Sequence, residues 1–144
     1  MTGFGKNVIK ISIVVALALV VGCAGKPYTS KLKLDGAEEV PPVKSSAKAK
    51  GEVVVKPDRS VSGQVTVSGF TPTVAHIHNG PVGKNGPVII TLKKTSDTTF
   101  VVPDGAKLNE AQYAAYQAGN LYVNVHSAAN PSGEVRSQIK PVTK

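Results

Sequence analysis

Two stretches of strict period-two alternation limit what this chain can fold into. Ala47, Ala49, Gly51, Val53 and Val55 share one parity, and Lys48, Lys50, Glu52 and Lys56 share the other. After Pro57-Asp58-Arg59-Ser60 the pattern resumes, with Val61, Gly63, Val65 and Val67 set against Ser62, Gln64, Thr66 and Ser68. Side chains leave a strand on alternate faces, so each stretch has one apolar and one wet face. With turn chemistry between them, the two predict an antiparallel hairpin packed on a core by one side only.

Shorter runs extend the pattern. Leu32 and Leu34 alternate ahead of a loop, Gly36 to Ser46, in which Pro41 and Pro42 have no amide hydrogen to give a sheet. Further strands are expected at Val74 to His78, Pro87 to Leu92, Thr98 to Val102, Leu121 to His126 and Glu134 to Ile139. One helix is signalled: Asn109 can cap it, Gln112 completes a capping box, Leu108 can pack onto Tyr113, and Gly119 supplies a left-handed stop. About eight short strands and one helical crossover predict an all-β chain folded as a Greek-key β-sandwich. No internal repeat and no second domain is visible in the 144 residues.

The N-terminus reads differently from the rest. Lys6 and Lys10 lead into an apolar run from Ile11 to Val21 broken only by Ser12, the charged start and short apolar middle of a secretory signal. The run is too short to span a bilayer, which takes about 20 residues. Val20-Val21-Gly22-Cys23 then resembles the bacterial lipobox, and Cys23 is the chain's one cysteine. The expected division is a signal peptide over 1–22, a lipidated Cys23 with a tether over 23–31, and a domain over 32–140. An exported protein anchored to a membrane by lipid follows, periplasmic or surface-facing, with Ala24 in place of a retention aspartate favouring the outer membrane where a cell has one. With no second thiol, no internal disulfide can support the fold.

Charge excludes one class of partner. The chain carries 17 basic residues against nine acids, but the lysines are scattered, aromatics make up 5% of the residues and tryptophan is absent. Neither the concentrated basic patch nor the stacking platform that nucleic acid needs is present. Attraction to acidic headgroups or polysaccharide is what such a surface could offer.

The chemistry-bearing residues are the three histidines. His76 and His78 are two apart and so leave the same face of a strand, opposite Ala75 and Ile77. His126 ends a second strand, sharing its face with Tyr122 and Asn124 while Leu121, Val123 and Val125 point the other way. Histidines beside a turn such as Asn79-Gly80-Pro81 can simply bond backbone carbonyls; three on two matching strands can also make a metal site. The glycine-rich loop from Asn79 to Gly86 can fold tightly over its neighbours.

Four motifs in combination point to a family. These are Leu34-Asp35-Gly36-Ala37-Glu38-Glu39-Val40-Pro41-Pro42-Val43; A-H-I-H-N-G at Ala75 to Gly80 with N-G-P-V at Asn85 to Val88; G-N-L-Y-V-N-V-H at Gly119 to His126; and N-P-S-G-E-V-R at Asn130 to Arg136. Together they resemble the CHRD domain, named for chordin and found in many bacterial exported proteins, over nearly all of Leu32 to Ile139. The resemblance implies an immunoglobulin-like β-barrel with limited similarity to copper-zinc superoxide dismutases. Those enzymes hold copper on a His-x-His strand and a histidine late in the chain, and His76, His78 and His126 match that trio. The further histidine that bridges copper to zinc there has no counterpart here, and the zinc site is absent with it. The implied cofactor is copper, with zinc second; imidazole nitrogen suits both, and binding is expected to weaken as pH falls through about 6.5. Tyr122 and Asn124 are candidates to orient the site from behind or are ordinary polar positions on a wet strand face, and Arg136, across a hairpin from Asn124, is a surface partner of Glu134 or nearby acids before it is a candidate anion-attracting group. Two other functions stay open. One is a metal-free interaction domain that binds an envelope protein or polysaccharide through the loops Gly36 to Ser46 and Asn79 to Gly86; the other is a true superoxide dismutase.

Overall fold

The computed structural model describes residues 1–2 and 28–141, so Cys23 and nearly all of the expected signal segment lie outside the described residues. Nine strands, a single 3-10 turn and one α-helix follow in order: β1 Tyr28–Asp35, the turn Gly36–Glu38, β2 Lys48–Val55, β3 Val61–Ser68, β4 Pro72–Asn79, β5 Val88–Thr91, β6 Lys93–Lys94, β7 Thr99–Val101, α1 Glu110–Gln117, β8 Leu121–Ser127 and β9 Val135–Ile139. All pairings are antiparallel, in the lateral order β5-β4-β8-β9-β1-β2-β3-β7-β6.

The two ends of that order are one piece of chain. Between β5 and β6 stands Leu92 alone, buried and donating its N–H to the carbonyl of Ala75 in β4 at 2.9 Å. Just before it the chain pairs with β4, and just after it with β7. The sheet therefore curls back on itself, which leaves no long open edge to recruit another strand. Around this ring, with β5 and β6 taken as one bent strand, the connections β3 to β4 and β7 to β8 each skip two strands, the Greek-key pattern expected of the sequence.

Two expectations need correction. The run Pro87 to Leu92 was expected to be one strand among about eight, but a straight strand there could not leave β4 for β7. The bend at Leu92 ends it, and beyond the bend Lys93–Lys94 adds a ninth strand. The tether was expected to reach residue 31, yet β1 begins at Tyr28 and pairs from there with Val55, while Ser30 accepts a hydrogen bond from the Lys140 N–H at 3.0 Å. Strand pairing extends as far as β2 has backbone to offer, beyond the first apolar residue of the alternation.

The interior holds the apolar parity of the longer strands and Phe100 of β7. Leu32, Leu34, Val53, Val55, Val65, Ile77, Phe100, Val123, Val125, Val135 and Ile139 are each 2% exposed or less. Helix α1 has both halves of its capping box, Asn109 accepting from Gln112 N–H and Gln112 accepting from Asn109 N–H, and Gly119 follows it at φ 74°. Leu108 and Tyr116 are buried and fasten it to the barrel. On the wet face Lys31 pairs with Glu52 and Lys48 with Asp35; such exposed pairs contribute little to stability.

Because Leu92 both fills the core and turns the chain between two strand partners, truncating it opens a cavity at the seam of the barrel. Leu92→Ala should lower unfolding free energy by about 2–5 kcal/mol in a urea titration, and a change within 0.5 kcal/mol would contradict its role in closure.

Candidate metal centre

The three histidines meet on the outer face of β4 and β8. Pairing puts His76 opposite Asn124 and His78 opposite Tyr122, with a bulge between Pro72 and Ala75 at the start of the pairing. His126 is diagonal to His76, and one ring nitrogen from each of the three residues lies within 4.8 Å of the others. Ring centroids are 4.9 Å apart for His76 and His126, 5.5 Å for His76 and His78, and 6.4 Å for His78 and His126. His126 Nε2 and His76 Nδ1 are 3.0 Å apart. Nitrogens bound at about 2.0–2.1 Å to a tetrahedral ion stand roughly 3.3 Å from one another, so small ring rotations bring this set onto a common ion.

Backbone carbonyls orient two of the rings. His78 Nδ1 lies 2.8 Å from the carbonyl of Gly86 and His126 Nδ1 lies 2.8 Å from that of Pro131. A carbonyl only accepts, so each Nδ1 carries a proton, and in a neutral His78 ring this leaves Nε2 to present its lone pair. In His78 that Nε2 is buried and has no hydrogen-bond partner. A ring held by a carbonyl at one nitrogen and bare at the other is the arrangement ligating histidines take.

Burial also disfavours charge on His76 and His78. The pKa of His76 is pushed down to about 4, first by loss of hydration and then by His126 and His78 beside it. His78 is lowered by burial as well, although its bond to Gly86 and the Asn124 amide oppose this, while His126 and Arg136 add to it. The sequence expectation that metal affinity falls away near pH 6.5 therefore shifts to more acid conditions for His76, because its lone pair stays available well below that pH.

Behind His78 the packing is layered. The Tyr122 ring stacks on His78 at 4.7 Å and 6°, and the Arg136 guanidinium lies 3.4 Å from the Tyr122 centroid, reaching it from β9 on the other side of β8. Arg136 is 2% exposed. It donates to the carbonyls of Pro81 and Lys84 at 3.2 and 3.0 Å and to side-chain oxygens of Asn85 and Gln138 at 3.3 Å each. This corrects its expected role as an anion-attracting group, since its donors are turned into the Asn79 to Gly86 loop and away from solvent. Tyr122 Oη accepts the Gly86 N–H at 3.2 Å, so the residue whose carbonyl holds His78 is itself held. Asn124 is buried with its Oδ1 3.0 Å from His126 Nε2. The two loops considered for partner binding are tied together here, Asn85 donating to the Val40 carbonyl at 2.7 Å.

The sequence profile of the CHRD domain matches residues 31–139. This chain is a CHRD-domain protein. No curated protein and no solved structure matches it. Among the described residues no helix is long and apolar enough to cross a membrane. The CHRD motifs surround the site: A-H-I-H-N-G carries His76 and His78, the second N-G ends in the Gly86 carbonyl, and N-P-S-G-E-V-R supplies the Pro131 carbonyl and Arg136. The sequence offered backbone carbonyls as partners for histidines beside a turn but not which ones, since no side-chain pattern reports where Gly86 and Pro131 place theirs. Reading the sequence missed Glu39, a buried acid beside Asn124, for which the one signal was a Glu-Glu pair ahead of Val40-Pro41-Pro42.

Lysine offers a single ammonium in place of a planar fork and cannot both stack on Tyr122 and serve two carbonyls. Arg136→Lys should cost about 2 kcal/mol or more of stability, and should speed hydrogen exchange at the Gly86 amide. Unchanged exchange there would mean that Arg136 does not hold the loop.

Proposed function

We propose that this CHRD domain holds a transition-metal ion, copper ahead of zinc, on His76, His78 and His126. The observation that carries the proposal is the Nε2 of His78, buried, bare of hydrogen-bond partners and turned by the Gly86 carbonyl into its lone-pair form. An unpaired buried acceptor costs about 1–3 kcal/mol, which an ion shared with the other two rings would recover. Imidazole donors favour copper and zinc over hard ions such as calcium and magnesium. Three protein nitrogens leave a coordination position for water or a small molecule. Tyr122, Arg136 and the Gly86 and Pro131 carbonyls would orient the ligands rather than bind the ion.

The role this supports is a metal-holding or redox-associated module. The chain has three histidines, one fewer than the copper site of the dismutases it resembles, and Arg136 is turned away from any incoming anion. The same proposal has the domain working outside the cytoplasm, carried on a lipid at Cys23, on the strength of Lys6, Lys10, the apolar run to Val21 and the lipobox-like Val20-Val21-Gly22-Cys23.

Copper(II) titrated into the purified protein should bind in one equivalent, and His76→Ala, His78→Ala, His126→Ala together should abolish uptake; equal uptake by both proteins removes the metal reading. Cys23→Ser should release the protein from the membrane fraction or block its processing. Membrane recovery identical to wild type would exclude the lipid anchor.

A further inference from the structure

One buried acid is explained neither by the barrel nor by the three rings. Glu39 directly follows the Gly36–Glu38 turn, is 5% exposed, and has an Oε1 with no hydrogen-bond partner. Its carboxylate occupies the space a side chain at position 133 would need: a Cβ on Gly133 would come within 2.5–2.6 Å of both oxygens. Charged groups face it from several elements. Arg136 on β9 and Glu134 in the turn before β9 act on it through their charge, and the Asn124 amide acts on it from β8. Burial pushes its pKa up to about 7; Arg136 pulls it down, Glu134 raises it further, and the hydrogen bond from Asn124 lowers it. Glu134 is held differently. Burial disfavours its charge too, yet hydrogen bonds from Ser45, Ser127 and Asn130 outweigh that and lower its pKa.

The Gly133 that Glu39 packs against belongs to the turn whose Pro131 carbonyl bonds His126 Nδ1, and Asn124 ties the same turn to the histidines, donating to the Ser132 carbonyl with its Oδ1 3.0 Å from His126 Nε2. A cation entering three imidazoles beside a buried guanidinium would bring uncompensated charge into a poorly hydrated site, which is strongly unfavourable without an anion. Glu39 is placed to supply one. Resting on the metal reading above, we infer that Glu39 is the switchable counter-charge of the metal centre: a carboxylic acid while the site is empty, it releases its proton and remains as carboxylate when a cation binds His76, His78 and His126. The proton passes to water through the cavity of about 210 Å³ that Glu39 lines with Val40, Pro41, Pro131 and Gly133.

The test is metal affinity against pH for the protein and for Glu39→Gln, which keeps the shape and removes the charge, with zinc(II) and copper(II) as probes. Between pH 5 and 7 the wild-type association constant should rise more steeply than the variant's, by up to about tenfold per pH unit, with about one more proton released per ion near pH 6. By pH 8 the wild type should bind at least about tenfold more tightly. Parallel profiles in two proteins that both take up metal would overturn the counter-charge and leave the three-histidine site standing, whereas no uptake by the wild type removes both. A second readout needs no variant. At pH 6 the ¹³C carboxyl signal of Glu39 should move from its protonated to its ionised position as zinc is added. A signal that is ionised before zinc, or protonated after it, refutes the inference.

Discussion

Everything in the site depends on one register, that of β4 against β8. With His76 opposite Asn124 and His78 opposite Tyr122, the outer face of the pair carries three imidazoles, a phenol and an amide, and the inner face carries Ala75, Ile77, Val123 and Val125. A slip of one residue would turn every side chain of one strand to the other face, sending histidines into the core and aliphatic residues out. The apolar parity thus has two effects. It stabilises the barrel, and in doing so it forces the polar parity into one outward cluster.

An outward cluster on a sheet would ordinarily be wet. Here the Asn79 to Gly86 loop and the turn at Pro131 cover it, and their carbonyls do more than exclude water. Each binds the Nδ1–H of a histidine, and in His78 this leaves Nε2 as the free nitrogen. Arg136 keeps the first loop in place by gathering its carbonyls while stacking on Tyr122, so a residue that never faces the rings sets how closely they are enclosed. Burial created this way disfavours charge on His76 and on Glu39 alike. For the histidine the neutral form is the ligand form; for the acid it is the form that can still yield a proton.

Closure of the sheet supplies the rigidity behind this. Val88 to Thr91 belongs to the strand beside β4, and the same stretch continues through Leu92 to β7 on the far side of the ring. The strand that bears two histidines is therefore held between β8 and a chain segment anchored at both ends, and the loop over His78 springs from that anchored segment. Sites built on strands held from both sides tolerate less drift than sites on free loops.

Much of this could be read in the residues. Alternation in the two runs around Pro57-Asp58-Arg59-Ser60 specified the hairpin, His-x-His specified a shared face, and Asn109 with Gln112 specified the start of the helix, because each depends on neighbours no more than a few residues away. What could not be read depends on distant contacts. Whether His126 reaches His76, fifty residues earlier in the chain, is set by the β4–β8 pairing. Whether Arg136 faces solvent or a loop is set by how the Asn79 to Gly86 segment folds back, and Glu39 becomes a buried acid only because Gly133 leaves it room. By itself the sequence determined which side chains share a face; the tertiary structure decided which faces meet and which backbone carbonyls they meet, because carbonyl positions are set by the path of the whole chain and are the same chemical group at every residue.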